Sequence, residues 1–183
     1  MNALTQSSEL GKVAPFKTDI TMRRWSFRRG CVLGLVICMG LMGYALYAQY
    51  VQLLNPCPLC IFQRIGVIGA GLGFLFGALL GPSRLGRLGM AMLVTLASLW
   101  GIGVAGRHLW IQALPADQVP SCGPGLGYLL DSFPWTQAFR MVLTGSGECA
   151  KIETVLGLPM PTWTLAWFVL FLGAGICLAR KRV

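Results

Sequence analysis

The chain has 183 residues, of which 55% are apolar and only 11% charged, with a mean hydropathy of +0.67. That balance excludes an ordinary soluble domain and points to a single compact integral membrane domain. The net charge of +9 does not mark a nucleic-acid binder, because the basic residues stand in short clusters beside apolar runs and form no basic, aromatic-interleaved face.

Residues 1–21, MNALTQSSELGKVAPFKTDIT, are polar and lack the apolar stretch of a secretory signal. They read as a disordered cytoplasmic extension, with Met22 and the following RRWSFRRG as a natural start for a membrane domain over residues 22–183. Four apolar runs follow, near residues 30–49, 60–80, 88–109 and 162–179. Each approaches the roughly 20 helical residues needed to cross a hydrocarbon layer. Hydrocarbon offers no partner to backbone N–H and C=O groups, so a lipid-exposed span is a helix or part of a closed barrel. Period-2 alternation is missing, and the expected fold is therefore an all-α bundle of four transmembrane helices. Within the second run Gly69, Gly73, Gly77 and Gly81 recur every fourth residue, a flat face that lets a neighbouring helix approach closely.

Lysine and arginine set the orientation. Lys12, Lys17, Arg23, Arg24, Arg28 and Arg29 precede the first run, Arg84 and Arg87 lie in the turn GPSRLGRLG, and Arg180, Lys181 and Arg182 close the chain. The other side receives only Arg64, Arg107, Arg140 and Lys151, diluted by Asp117, Asp131, Glu148 and Glu153. By the positive-inside rule both termini are cytoplasmic, and two loops, near residues 50–59 and 110–161, face outward. In the second loop FPWTQAFRMVL places Trp135, Phe139 and Val142 on one helical face, as in a short amphipathic helix lying on the outer leaflet. Its alternative is a loop helix that covers the end of the bundle. Trp110 suits the aromatic belt of a membrane interface.

The seven cysteines fall into two populations. Cys31, Cys38 and Cys177 lie in apolar helices, where cysteine packs as a small hydrophobe. Cys57, Cys60, Cys122 and Cys149 all fall on the outward side, and an even set in an oxidising compartment implies disulfides. Cys57 with Cys60 and Cys122 with Cys149 is the natural division, although four cysteines allow three connectivities. The Cys-Pro-Leu-Cys spacing closes too small a loop for a structural staple and suits reversible thiol exchange. Zinc held by four thiolates is the rival reading. It is disfavoured because Cys122 and Cys149 stand singly in PSCGPG and GSGECA, and no metal is expected.

Cys60 opens the second helix, whose N-terminal amides and macrodipole favour a thiolate. Arg64 follows one turn later on the same face, placed to stabilise that thiolate and to donate to a carbonyl oxygen of a membrane-dissolved acceptor. Its plain alternative is an arginine reaching for headgroups. His108, in GRHLWIQALP, is by itself a weak signal, since an interfacial histidine is usually solvated or paired.

The motifs PCPLCIFQR, RHLWIQALP, SCGPGLGYLL, SGECA and VLGLPMPTW, in this order on a four-helix topology, resemble the DsbB family of bacterial disulfide bond formation proteins from about Arg23 to Arg180. The resemblance implies a multi-pass inner-membrane oxidoreductase that reoxidises the periplasmic thiol oxidase DsbA and passes the electrons to a quinone, either ubiquinone or menaquinone. By position, Cys122 would be attacked by a DsbA thiolate, releasing Cys149, which would attack Cys57. Cys60 would then meet the quinone ring, with Arg64 holding a quinone oxygen and His108 lining the quinone pocket. The glycines around Cys149 suit a loop cysteine that travels. A non-enzymatic membrane scaffold with structural disulfides is the alternative of another class.

Overall fold

The computed structural model describes residues 14–81, 83–115, 118, 134, 136–137, 140, 142, 147–152, 154–155 and 157–180. Four long helices carry the fold: α1 (Ala14–Tyr50), α2 (Pro58–Leu80), α3 (Arg84–Gln112) and α4 (Met160–Arg180). A 3-10 turn (Gly147–Ala150) and an antiparallel pair of two-residue strands, β1 (Thr154–Val155) and β2 (Leu158–Pro159), precede α4. Ser26–Tyr50 of α1 and the whole of the other three helices are long and apolar enough to cross a membrane.

The first helix departs from the expectation at its start. It is helical from Ala14, so residues 14–21 of the expected disordered extension are helical, while residues 1–13 lie outside the described residues. Propagation explains this, because a helix already nucleated by an apolar span gains one hydrogen bond for each residue added.

Helix α2 packs against both α1 and α3, and α4 packs against α3. The glycine stripe makes this possible. A Cβ on Gly69 would meet Ala97 at 3.1 Å, one on Gly73 would meet Val94 at 2.8 Å, and one on Gly77 would meet Met90 at 2.7 Å and Cys31 at 2.9 Å. Gly81, the fourth of the stripe, serves the helix end instead. At φ 66° it takes a conformation few side chains accept and terminates α2. Arg28 of α1 donates from Nη2 to the Leu79 carbonyl at 3.3 Å, supplying a partner at the carbonyl end of α2.

The core lies between these faces. Phe27, Cys31, Cys38, Phe74, Met90, Val94, Phe168 and Phe171 are buried in one cluster, with Phe74 and Phe171 edge to face. Cys31 and Cys38 pack there as expected of small apolar residues, whereas Cys177 is exposed on α4. Leu33, Val36, Leu72, Leu79, Leu96, Leu99 and Leu170 are exposed on the outer faces, which suits helices whose surroundings are lipid.

Of the FPWTQAFRMVL segment, Pro134, Thr136, Gln137, Arg140 and Val142 are described, and Trp135 and Phe139 lie outside the described residues. Thr136, Gln137, Arg140 and Val142 are helical. Val142 is buried against Cys57, Leu59, Ile111 and Cys149. This residue of the expected apolar face therefore turns to the end of the bundle, which favours the covering helix over one whose apolar side faces the leaflet alone.

Candidate functional site

The site begins with the start of α2. Pro58 at the first helical position pre-sets the backbone, and Cys57 serves as the N-cap in an extended conformation, its Sγ accepting from the Cys60 amide at 3.4 Å. Capping brings the two side chains together, with the sulfurs 3.1 Å apart in the dithiol form. Cys57 is buried and Cys60 half-buried, and both line an adjoining cavity.

Cys149 arrives from the connection between α3 and α4. The 3-10 turn at Gly147–Ala150 packs on α3 and sets Cys149, with no exposed surface, in the same cluster as Cys57, Leu59, Val104 and Ile111. Its carbonyl is fixed to His108 Nε2 at 3.2 Å. Cys122 lies outside the described residues.

His108 is more central than its sequence signal. It is 3% exposed, and Nε2 lies 3.9 Å from Cys57 Sγ. On its other side Gln63 Nε2 lies 3.2 Å from Nδ1, while Gln63 Oε1 accepts from the Thr164 hydroxyl at 2.8 Å. An amide nitrogen only donates and a carbonyl oxygen only accepts. Nδ1 is therefore the acceptor, and Nε2 carries the hydrogen donated to the Cys149 carbonyl. One chain of hydrogen bonds thus ties α2, α3, α4 and the Cys149 turn at the level of the cysteine pair.

Arg64 lines the same cavity as Cys60 and His108, but two of its donors are engaged elsewhere. Nη1 donates to Gln49 Oε1 and Nη2 to the Ala45 carbonyl at 3.1 Å, both on α1. A guanidinium has five N–H donors, so this clamp leaves others for a ligand. The cavity itself has a volume of about 380 Å³. Leu41, Met42, Val67 and Trp167 supply apolar wall, and Arg64, His108 and Gln112 form a polar side. Gln112 donates from Nε2 to the Lys151 carbonyl at 3.2 Å, while its buried Oε1 has no partner among the described residues.

The structure thus brings together Cys57, Cys60, Arg64, His108 and Cys149 from three separate segments. Sequence reasoning missed Gln49, Gln63, Gln112 and Thr164. A polar side chain inside an apolar span is costly unless it is satisfied. Gln63 and Thr164 in their apolar runs were the signal that could have flagged them.

Comparison with known proteins gives the family. The family described as DsbB, disulfide bond formation protein DsbB, matches residues 27–178. The disulfide bond formation protein B of Chromohalobacter salexigens is 50% identical over 170 residues, covering 88% of this chain and 99% of its own. Proteins of the same name from Hahella chejuensis and Acinetobacter baumannii are 53% and 49% identical over 133 and 153 residues. They cover 72% and 81% of this chain, and 81% and 88% of their own lengths. With four helices long and apolar enough to cross a membrane and this match over residues 27–178, the chain belongs to the DsbB family of disulfide bond formation proteins.

Proposed function

We propose that the protein reoxidises a DsbA-like periplasmic thiol oxidase by dithiol–disulfide exchange and passes the electrons to a membrane quinone. It does so from the bacterial inner membrane, with both termini cytoplasmic and the redox loops periplasmic. One observation carries the reading: the cysteine pair stands at the junction between a loop thiol and a cavity with apolar walls. Cys149 shares a buried cluster with Cys57, and Cys57 and Cys60 both line the cavity.

In this cycle the resting enzyme holds Cys57–Cys60 and Cys122–Cys149 disulfides. A partner thiolate attacks Cys122, forming a mixed disulfide and releasing Cys149 as a thiolate. Cys149 attacks Cys57, and Cys60 leaves as the thiolate facing the cavity. Exchange of this kind needs an approach of thiolate to disulfide, and the reading is supported by Cys149 and Cys57 lying in one buried cluster. The net reaction oxidises two partner thiols to a disulfide and reduces a quinone to its quinol, with two electrons and two protons transferred.

The cavity volume falls within the roughly 300–1,000 Å³ usual for small-molecule sites, which fits a flat quinone head group. Arg64 offers donors to quinone oxygens, and His108 and Gln112 line the same cavity. The bound quinone, ubiquinone or menaquinone, supplies the two-electron acceptor. A DsbA-type disulfide is strongly oxidising, about −120 mV, so an acceptor of this class is needed to regenerate it.

The test is anaerobic quinone reduction by detergent-purified protein supplied with reduced DsbA. Cys60→Ser is expected to abolish turnover, and Arg64→Ala to raise the quinone concentration needed for half-maximal rate by about tenfold, the equivalent of one charge-assisted hydrogen bond. No turnover by intact protein with labile disulfides would return the protein to the scaffold reading.

A further inference from the structure

Two electron-rich atoms face the Nε2 end of His108, and a third sulfur stands beside them. Cys57 Sγ is 3.9 Å away, Cys149 O is 3.2 Å away, and Cys60 Sγ lies 3.1 Å from Cys57 Sγ. The donor atoms of Cys57, Cys60 and His108 all fall within 4.8 Å of one another. In a tetrahedral zinc site, with Zn–S about 2.3 Å and Zn–N about 2.0 Å, neighbouring donors lie roughly 3.5–3.8 Å apart. The observed separations straddle that range, and two sulfurs with one imidazole are a donor set for a soft or borderline cation.

We infer that the reduced site binds one thiophilic divalent cation through Cys57, Cys60 and His108, with the Cys149 carbonyl near the fourth corner. This site differs from one of four thiolates in its third and fourth donors, an imidazole and a carbonyl. His108 stands 48 residues after Cys60 in the chain, and only the packing of α3 on α2 brings it to the pair.

The surroundings of His108 accept the change that ligation requires. Nε2 must offer a lone pair, so the ring hydrogen moves to Nδ1. With the Gln63 amide turned over, Nδ1–H donates to Gln63 Oε1 and Gln63 Nε2 donates to Thr164 Oγ1. The Thr164 hydroxyl then donates to the Pro161 carbonyl, which already lies 2.9 Å from it. Each member of the chain keeps a partner of the right kind, as in the outer shells that orient ligating histidines. Binding replaces the two thiol protons by the cation and transfers no electrons. It is therefore exclusive with the Cys57–Cys60 disulfide, and the cation holds the pair in its reduced form. Binding rests on the dithiol geometry alone, whereas its effect on turnover rests on the electron route proposed above.

Cobalt(II) and zinc(II) added to the detergent-purified full chain separate the outcomes. Reduced protein is expected to take up one Co²⁺ with the visible and near-ultraviolet absorption of tetrahedral thiolate coordination. Zn²⁺ should displace it, and protein oxidised beforehand should give none. His108→Ala should weaken Zn²⁺ binding by about 10- to 100-fold, and Cys57→Ser by more. A weak octahedral spectrum from reduced wild-type protein overturns the site without recourse to any variant. So does equal binding by the Cys57→Ser/Cys60→Ser chain, or unchanged affinity in His108→Ala. In the quinone assay Zn²⁺ should stop turnover, with chelator restoring it. Tetrahedral Co²⁺ uptake by a protein that never reduces quinone leaves this site standing and removes the electron route.

Discussion

Gln63 has an exacting environment. It is 5% exposed within a membrane-spanning helix, and its amide is shared between an imidazole on α3 and a hydroxyl on α4. Leaving either partner unsatisfied costs free energy, because neither water nor lipid replaces the bond there. The amide also decides which face His108 shows to the cysteines, so Gln63 is a positioning residue for the ring. A neutral hydrogen bond is worth about 0.5–1.5 kcal/mol net, which corresponds to about a two- to tenfold change in rate. Gln63→Leu is expected to lower the rate of quinone reduction by about that factor, and Thr164→Val by less, since the Gln63–His108 bond survives it. Wild-type rates in Gln63→Leu would show that the ring needs no such support. Arg64 belongs to the same scale: its hold on Gln49 and Ala45 makes it a fastener between α1 and α2 as well as a candidate donor to the cavity.

Among the elements, α2 is the one on which the others depend. Its first turn caps itself with a reactive cysteine, and its glycine face admits α3. Replacing Gly77 by leucine would drive a side chain into Met90 and Cys31 at once, touching both neighbouring helices. Overpacking of this kind costs about 1–3 kcal/mol. Gly77→Leu should therefore lower the unfolding temperature of the purified protein by several degrees. Gly43 on α1 has no atom within 4 Å of where a Cβ would stand. Gly43→Ala should leave the unfolding temperature unchanged or raise it, because alanine is favoured over glycine in a helix by about 0.5–1 kcal/mol. Equal destabilisation by both substitutions would mean that the glycine face does not carry the packing.

At the scale of the molecule, the two ends of the bundle differ in chemistry. One holds the cysteines, His108 and the cavity, and the other holds Arg28, Arg84, Arg87 and Arg180. The positive-inside rule assigns the arginine end to the cytoplasm. A green fluorescent protein fused after Val183 should therefore fluoresce in intact cells, and a protease added to spheroplasts should cut near exposed Gln118. A dark fusion with a protected Gln118 would reverse the orientation and take the redox site out of the oxidising compartment. The four-helix architecture, the four spans to within a few residues except at the start of α1, and the close-packing glycines were legible in the sequence. Each follows from local apolar length and spacing.

The sequence by itself determined the membrane class, the number of spans and the Cys57–Cys60 pair with Arg64 one turn beyond it, because these depend on residues close together in the chain. Its resemblance, carried by five ordered motifs, also reached the family, since ordered motifs survive as text. Only the tertiary structure decided that His108 stands over Cys57, that Cys149 is docked there by its own carbonyl, and that Gln63 and Thr164 hold the ring. It also turned two donors of Arg64 toward α1 and Val142 toward the protein. Those partners are between 15 and 101 residues apart. Hydrogen bonds across such separations are set by which helix faces meet, and that choice is made by the summed packing of the bundle, which no local pattern encodes.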